Sequence, residues 1–313
     1  DREIKMSEMN VNKIARIEAL VEQLNKASEA YYNGKDEIMS NFEWDAMFDE
    51  LTALEEETGH VLPNSPTQTV GYESESGKKE QHEFPALSLA KTKKVEEMVK
   101  WAENFPIWLS WKLDGCTLVL TYDNGKLTKI LTRGSGNMGT NITHLKSAIK
   151  GFPLEIPYQG HMVVRGEAVI SYSDFAAIND MVEDKDEKYA NPRNLASGTL
   201  NLDDIEEVKR RRVHFYAFTL VYIDDEIISW GERMDYLEQM KFTVVDRESG
   251  NGLSLPDMIE KWTKRVESGK MDLPVDGLVI CYDDTEYAST GSVTGHHATR
   301  AGYAFKWQDE SVE

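Results

Sequence analysis

The dipeptide Asn124-Gly125 constrains this chain more than any other pair of residues in it. It separates two β-rich runs, 116–122 and 126–132. Asn-Gly suits a two-residue hairpin loop because both central positions need positive φ. A loop that short joins antiparallel strands, so the sheet around it is antiparallel. Further β-rich runs stand at 107–112, 161–170, 213–223, 277–282 and 303–307, with helical patterns near 173–181, 230–240 and 255–268. Hairpin-paired strands with helices outside them predict an α+β domain, not a doubly wound parallel sheet.

The start of the chain has another period. Ile14, Ile17, Leu20, Val21, Leu24 and Tyr31 recur at the three-to-four spacing of an amphipathic helix. Ser40 and Glu43 have capping-box spacing, and Trp44, Met47, Phe48 and Leu51 carry a second helix to residue 57. Together these predict a helical hairpin. Residues 59–77, with Pro63, Pro66 and several serines and threonines, read as an irregular connector. A length of 313 residues suits one large core plus a smaller unit. We therefore expect a small helical domain with its connector over 1–70 and a larger α+β domain, antiparallel sheets flanked by helices, over 71–313.

Composition narrows the function classes. With 40% hydrophobic and 29% charged residues the chain is a folded globular protein, not a disordered one. No run approaches the roughly 18 apolar residues of a membrane span, and residues 1–10 are too polar for a signal peptide. Both point to the cytoplasm. Cys116 and Cys281 stand alone, which excludes a disulfide framework or a cysteine-pair zinc site. A net charge of -20 opposes a broad nucleic-acid surface. The one basic run, Lys209-Arg210-Arg211-Arg212, reads equally well as a solvated helix end or loop.

Lys112-Leu113-Asp114-Gly115 places an ammonium at a strand end with a carboxylate two residues on and a permissive glycine beyond. That suits a nucleophile; a hairpin turn with a surface lysine is the plainer alternative. The pieces that follow add weight: Arg133-Gly134-Ser135-Gly136 after the first hairpin, Arg165-Gly166-Glu167 in a strand, Asp276-Gly277 opening another, and Lys306 in Ala304-Phe305-Lys306-Trp307. This ordered series resembles the nucleotidyltransferase motifs of covalent ligases and capping enzymes. Ser65-Pro66-Thr67-Gln68, Leu87-Ser88-Leu89, Thr132-Arg133-Gly134, Val164-Arg165-Gly166-Glu167 and Asn191-Pro192-Arg193-Asn194 resemble, more narrowly, the NAD-dependent DNA ligases of bacterial or viral type. The resemblance runs from about Tyr31 to the end.

The resemblance implies a helical domain that holds the nicotinamide mononucleotide (NMN) half of NAD and a nucleotidyltransferase domain that takes the AMP. Lys112 would attack the α-phosphate, release NMN and become lysyl-AMP, for transfer to the 5′-phosphate of nicked duplex DNA in repair and replication. A lysine attacks only when deprotonated, which burial and nearby cations favour. Lys306 would stabilise charge on the phosphate, and Asp114 would orient Lys112 or a metal. Glu167 would lie at the ribose and at Mg²⁺. Arg133, Ser88 and Leu89 would line the nucleotide, with Ser110 at the adenine, and Arg193 would meet the DNA backbone, unless it pairs with a neighbouring acid. Tyr32, Asn41, Trp44 and Asp45 are the candidates for the NMN half, since aromatic faces and a carboxylate suit a cationic ring. Core packing is the alternative for those aromatics.

Several positions depart from the family pattern. Cys281 stands where a phosphate-contacting lysine is usual, Ser110 replaces the adenine-reading glutamate, and Asn41 replaces an acid. Trp44 replaces tyrosine, Asn201 an arginine, and Ser135 the aspartate of Arg-Gly-Asp-Gly. Three readings stay open. The chain is an active, divergent ligase of bacterial or viral type that has moved the phosphate contact to another residue, working in the cytoplasm or in a host's. Alternatively it keeps NAD or adenylate binding as a regulatory protein, or it is an ATP-dependent nucleotidyltransferase, which the hairpin disfavours. The family's oligonucleotide-binding barrel and zinc module are absent from these residues, so joining would need further domains or a separate subunit.

Overall fold

A computed structural model describes residues 2–32, 38–67, 77–290 and 300–307, with the side chains of 2–6, 31–32 and 41–42 left out. Tyr31, Tyr32 and Asn41 thus lie outside the described side chains, and Gln68 lies outside the described residues.

In chain order, α1 (Arg2–Tyr32) and α2 (Asn41–Thr58) form the hairpin. Next come β1 (Lys79–Gln81), β2 (Lys91–Thr92), α3 (Val95–Ala102), β3 (Ile107–Leu113), β4 (Cys116–Asp123), β5 (Lys126–Thr132) and β6 (Met138–Thr140). Then follow β7 (Met162–Val169), α4 (Tyr172–Asp180), α5 (Pro192–Leu200), α6 (Ile205–Arg210), β8 (His214–Ile223) and α7 (Trp230–Gln239). β9 (Arg247–Gly250), α8 (Leu255–Glu267), β10 (Val275–Tyr282), α9 (Thr285–Ser289) and β11 (Tyr303–Phe305) complete it.

The hairpin closes on Ile17, Leu20, Val21, Leu24 and Leu51, all buried, with Met47 and Phe48 against them. Ser40 accepts a hydrogen bond from the Glu43 amide at 3.1 Å, and the Glu43 carboxylate accepts one from the Ser40 amide. This reciprocal cap satisfies two amides that a helix start leaves open. Gly59, left-handed at φ 69°, ends α2.

The larger domain stacks two main sheets. One runs β5-β4-β7-β8, antiparallel throughout, with Asn124 and Gly125 both at positive φ in the β4–β5 turn as the sequence predicts. The other runs β2-β11-β10-β3-β9. Here one edge pair departs from the otherwise antiparallel pattern, since β2 pairs with β11 in parallel. β1 and β6 form a small separate ladder.

Alternation along the strands decides which side chains are free for chemistry. In β3, Leu109, Trp111 and Leu113 enter a core shared with α3 and α8, leaving Trp108, Ser110 and Lys112 on the other face. In β4 and β7, Leu118, Leu120, Met162 and Val164 enter a second core, leaving Thr117 and Glu167 on the other face as a cross-strand pair. The basic run at α6 takes the plain reading: Lys209 pairs with Glu206, Arg210 and Arg211 with Glu207, and Arg212 with Asp174.

Candidate active site

Lys112 is the last residue but one of β3 and Glu167 lies in β7, so the two sheets meet at the turn Asp114-Gly115. The Asp114 amide donates to the Pro274 carbonyl at 2.8 Å, and the Gly115 amide to Glu167 Oε2 at 3.1 Å. A Cβ on Gly115 would stand 2.1 Å from the Ala168 carbonyl oxygen, so only glycine allows the turn this close to β7. Thr117 donates to Glu167 Oε1 at 2.8 Å. The lysine and the glutamate are thereby placed by one local structure.

Lys112 Nζ lies 3.2 Å from Asp276 Oδ1, and Lys306 Nζ lies 3.4 Å from Asp276 Oδ2. One carboxylate therefore holds two lysines from opposite ends of the domain. In the sequence Asp276 stands out only as the neighbour of Gly277. Its reach comes from a register shift between Val275 and Gly277, a bulge that re-aims the residue between them. A Cβ at Gly277 would come 2.2 Å from the Phe305 carbonyl oxygen.

Two carboxyls here have their pKa pushed up to about 7. For Asp114 the cause is burial and then the Asp276 carboxylate, against the pull of Lys112; for Glu167 it is burial, against the Thr117 hydrogen bond and Lys112. Both oxygens of Glu167 are already engaged. Among the described residues, no group of three acids, histidines or cysteines is disposed to hold a metal ion. Mg²⁺ asks for no such group, since one carboxylate with water and substrate phosphates can hold it.

The other candidates divide. Arg133 donates through Nε to the Ala86 carbonyl at 2.9 Å and through Nη2 to the Ser88 hydroxyl, so these residues are brought together. Leu89 faces Gly302, next to β11. Ser110 is buried, beside Val279 in the ladder. Cys281 pairs with Trp108 on the Lys112 face, and burial holds its thiol neutral. Arg193, expected at the DNA backbone, is 7% exposed, with its guanidinium 3.6 Å from Asp114. The alternative of pairing with an acid is the arrangement present. Asn201 caps the end of α5.

The hairpin reaches this face. Asp45 of α2 accepts a hydrogen bond from Lys91 Nζ at 2.8 Å, and α1 packs on α5. Trp44 instead stacks on Phe48 at 5.0 Å and donates to the Leu24 carbonyl, serving the hairpin's own core. Lys91 carries no signal in its own stretch of sequence.

Two family models match the chain. Residues 78–310 match the NAD-dependent DNA ligase adenylation domain, and residues 10–71 match the DNA ligase-like N-terminal NAD+-binding domain. Among curated proteins, a DNA ligase of Lachnoclostridium phytofermentans is 43% identical over 301 residues, 95% of this chain and 46% of that protein. One of Ruminiclostridium cellulolyticum is 41% identical over 305 residues, 96% of this chain and 46% of that protein. The chain spans about half the length of these relatives.

Proposed function

The chain belongs to the NAD-dependent DNA ligase family, and from that premise we propose that Lys112 takes AMP from NAD and passes it to the 5′-phosphate at a nick in duplex DNA. Lys112 Nζ attacks the phosphorus of the AMP half. A P–N bond forms, the P–O bond to the bridging oxygen breaks, and NMN leaves with its own phosphate. The proton lost by Nζ has Asp276, 3.2 Å away, as its nearest acceptor. Lys306, on the same carboxylate, faces the charge that develops on the phosphate. Glu167, held by Thr117 and Gly115, stands at the ribose side of the nucleophile, and the Arg133–Ser88–Leu89 group lines the approach. Asp114 orients Lys112, with Arg193 as its partner.

Tyr32, Asn41 and Asp45 are our assignment for the NMN half, with Asp45 next to the cationic ring. We assign Mg²⁺ to the donor's phosphates and water, where it would neutralise charge. Sealing of the nick draws on parts of the ligase beyond these residues, and the work belongs in the cytoplasm, where NAD and DNA meet.

The observation that carries this reading is Asp45 of the NAD-binding hairpin paired across to Lys91, a lysine close enough to Lys112 and Lys306 to feel both charges. Incubation with NAD and Mg²⁺ should raise the intact mass by one AMP, a gain lost in Lys112→Ala and not matched with ATP. No gain with NAD would leave the regulatory reading. Efficient labelling from ATP would overturn the choice of donor.

A further inference from the structure

Cys281 leaves the Lys112 face without the lysine that the family pattern has there, and sheet register shows what takes its place. Laterally paired residues of a sheet share a face. Ser110 pairs with Val279, Val279 with Ala304, and Ala304 with Lys91. Lys91 therefore lies on the face of Ser110, and so of Lys112, two residues further along β3. Two backbone bonds hold it there: the Ala304 amide to the Ala90 carbonyl and the Lys306 amide to the Thr92 carbonyl, both 2.9 Å. Lys306 and Lys91 are thus tied to one another by the parallel β2–β11 pairing.

The Lys91 side chain is 13% exposed, and burial and the charges of Lys112 and Lys306 work against its own charge, while Asp45 supports it. Lys112 and Lys306 share a carboxylate of their own domain, whereas Lys91 is paired with a carboxylate carried by the hairpin. A dinucleotide lying between Asp45 and Lys112 puts its two phosphates at this gap and its cationic ring toward Asp45. Both members of the ion pair then exchange one opposite charge for another, and the buried ammonium is never left bare.

We propose that Lys91 is a substrate-binding cation of the adenylation reaction, moving from Asp45 to a phosphate oxygen of the bound dinucleotide and so supplying the contact that Cys281 cannot make. This rests on the NAD reading above.

The test follows lysyl-AMP formation by intact mass against NAD concentration, in the full chain with Mg²⁺. Lys91→Met should lower kcat/KM at least about tenfold, the loss expected for one charge-assisted phosphate contact. Lys91→Arg should keep most of it, and Cys281→Lys placed in the Lys91→Met chain should restore part. Asp45→Asn should raise KM for NAD. Lys91→Gln replaces Lys91→Met if the latter melts below the parent. Parent-like kinetics in Lys91→Met overturn the proposal. So do equal, non-additive defects in Lys91→Met and Asp45→Asn, which would make the pair a strut between the units. A parent chain that gains no AMP would instead sink the NAD reading itself.

Discussion

At the scale of single residues, the site is an arrangement of opposed charges. Lys112, Lys306 and Lys91 face Asp276, Asp114, Glu167 and Asp45, and two of those acids have pKa values raised to about 7. A carboxyl whose folded pKa is raised binds its proton more tightly when folded. Its contribution is therefore favourable at low pH and is lost as pH rises from the unfolded value, near 4, through the folded one. Asparagine carries no such penalty. Relative to the parent, Asp114→Asn should thus gain in thermal stability between pH 5 and pH 8; a Tm difference that is flat across this window would show that Asp114 is not held near 7. Lys112 was legible because a strand end, an acid and a glycine lie within four consecutive residues. Asp276 and Lys91 were not, since a bulge aims the first and a parallel pairing between distant segments places the second. The partner of Arg193 was not legible for a related reason: only the fold brings Asp114 beside it.

Most of the long elements were legible, but α3 (Val95–Ala102) was not, although it buries Met98 and Ala102 on one face. The hairpin helices, the β4–β5 turn and the long strands follow the apolar spacing closely. Helix α5 escaped because all nine of its residues, Pro192 to Leu200, are buried, Arg193, Asn194, Ser197 and Thr199 among them, so polarity does not mark an outer face. β2, β6 and β9, two to four residues each, are too short to show alternation. What the elements do for the chemistry can be tested at their junctions. Gly115→Ala sets a Cβ against the Ala168 carbonyl and 2.8 Å from Val169 Cγ1, both in or near β7. The turn must shift and pull its amide from Glu167. We expect a loss of about 2 kcal/mol or more in urea unfolding, with lysyl-AMP formation falling further than stability alone accounts for. Ser40→Ala offers the contrast: loss of the capping box should cost about 1 kcal/mol, read as a lower Tm, with little effect on the rate at saturating NAD. Equal effects of the two on that rate would deny the turn its special role.

For the molecule as a whole, charge sets what the chain can do by itself. It carries 55 acidic against 35 basic residues, and the basic run at 209–212 is spent on ion pairs with Glu206, Glu207 and Asp174. Duplex DNA is bound by neutralising phosphates, each contact contributing about -0.9 to the slope of log affinity against log salt. An acidic chain with few such contacts should bind nicked DNA weakly and with a shallow slope. The same net charge acts differently on the proposed dinucleotide site, where Lys112 and Lys306 stand 3.2 and 3.4 Å from one carboxylate, well inside the screening length of about 8 Å at physiological salt. The two half-reactions should therefore separate. Chain charged with AMP beforehand and then mixed with nicked duplex at about 0.15 M salt should yield adenylated DNA far more slowly than it formed lysyl-AMP, and lowering the salt should help only modestly. Gel analysis of the labelled 5′ end measures both. Fast transfer at physiological salt with a steep salt slope would mean that these residues contain a phosphate-binding surface of their own, and the net charge would then say nothing about where the DNA lies.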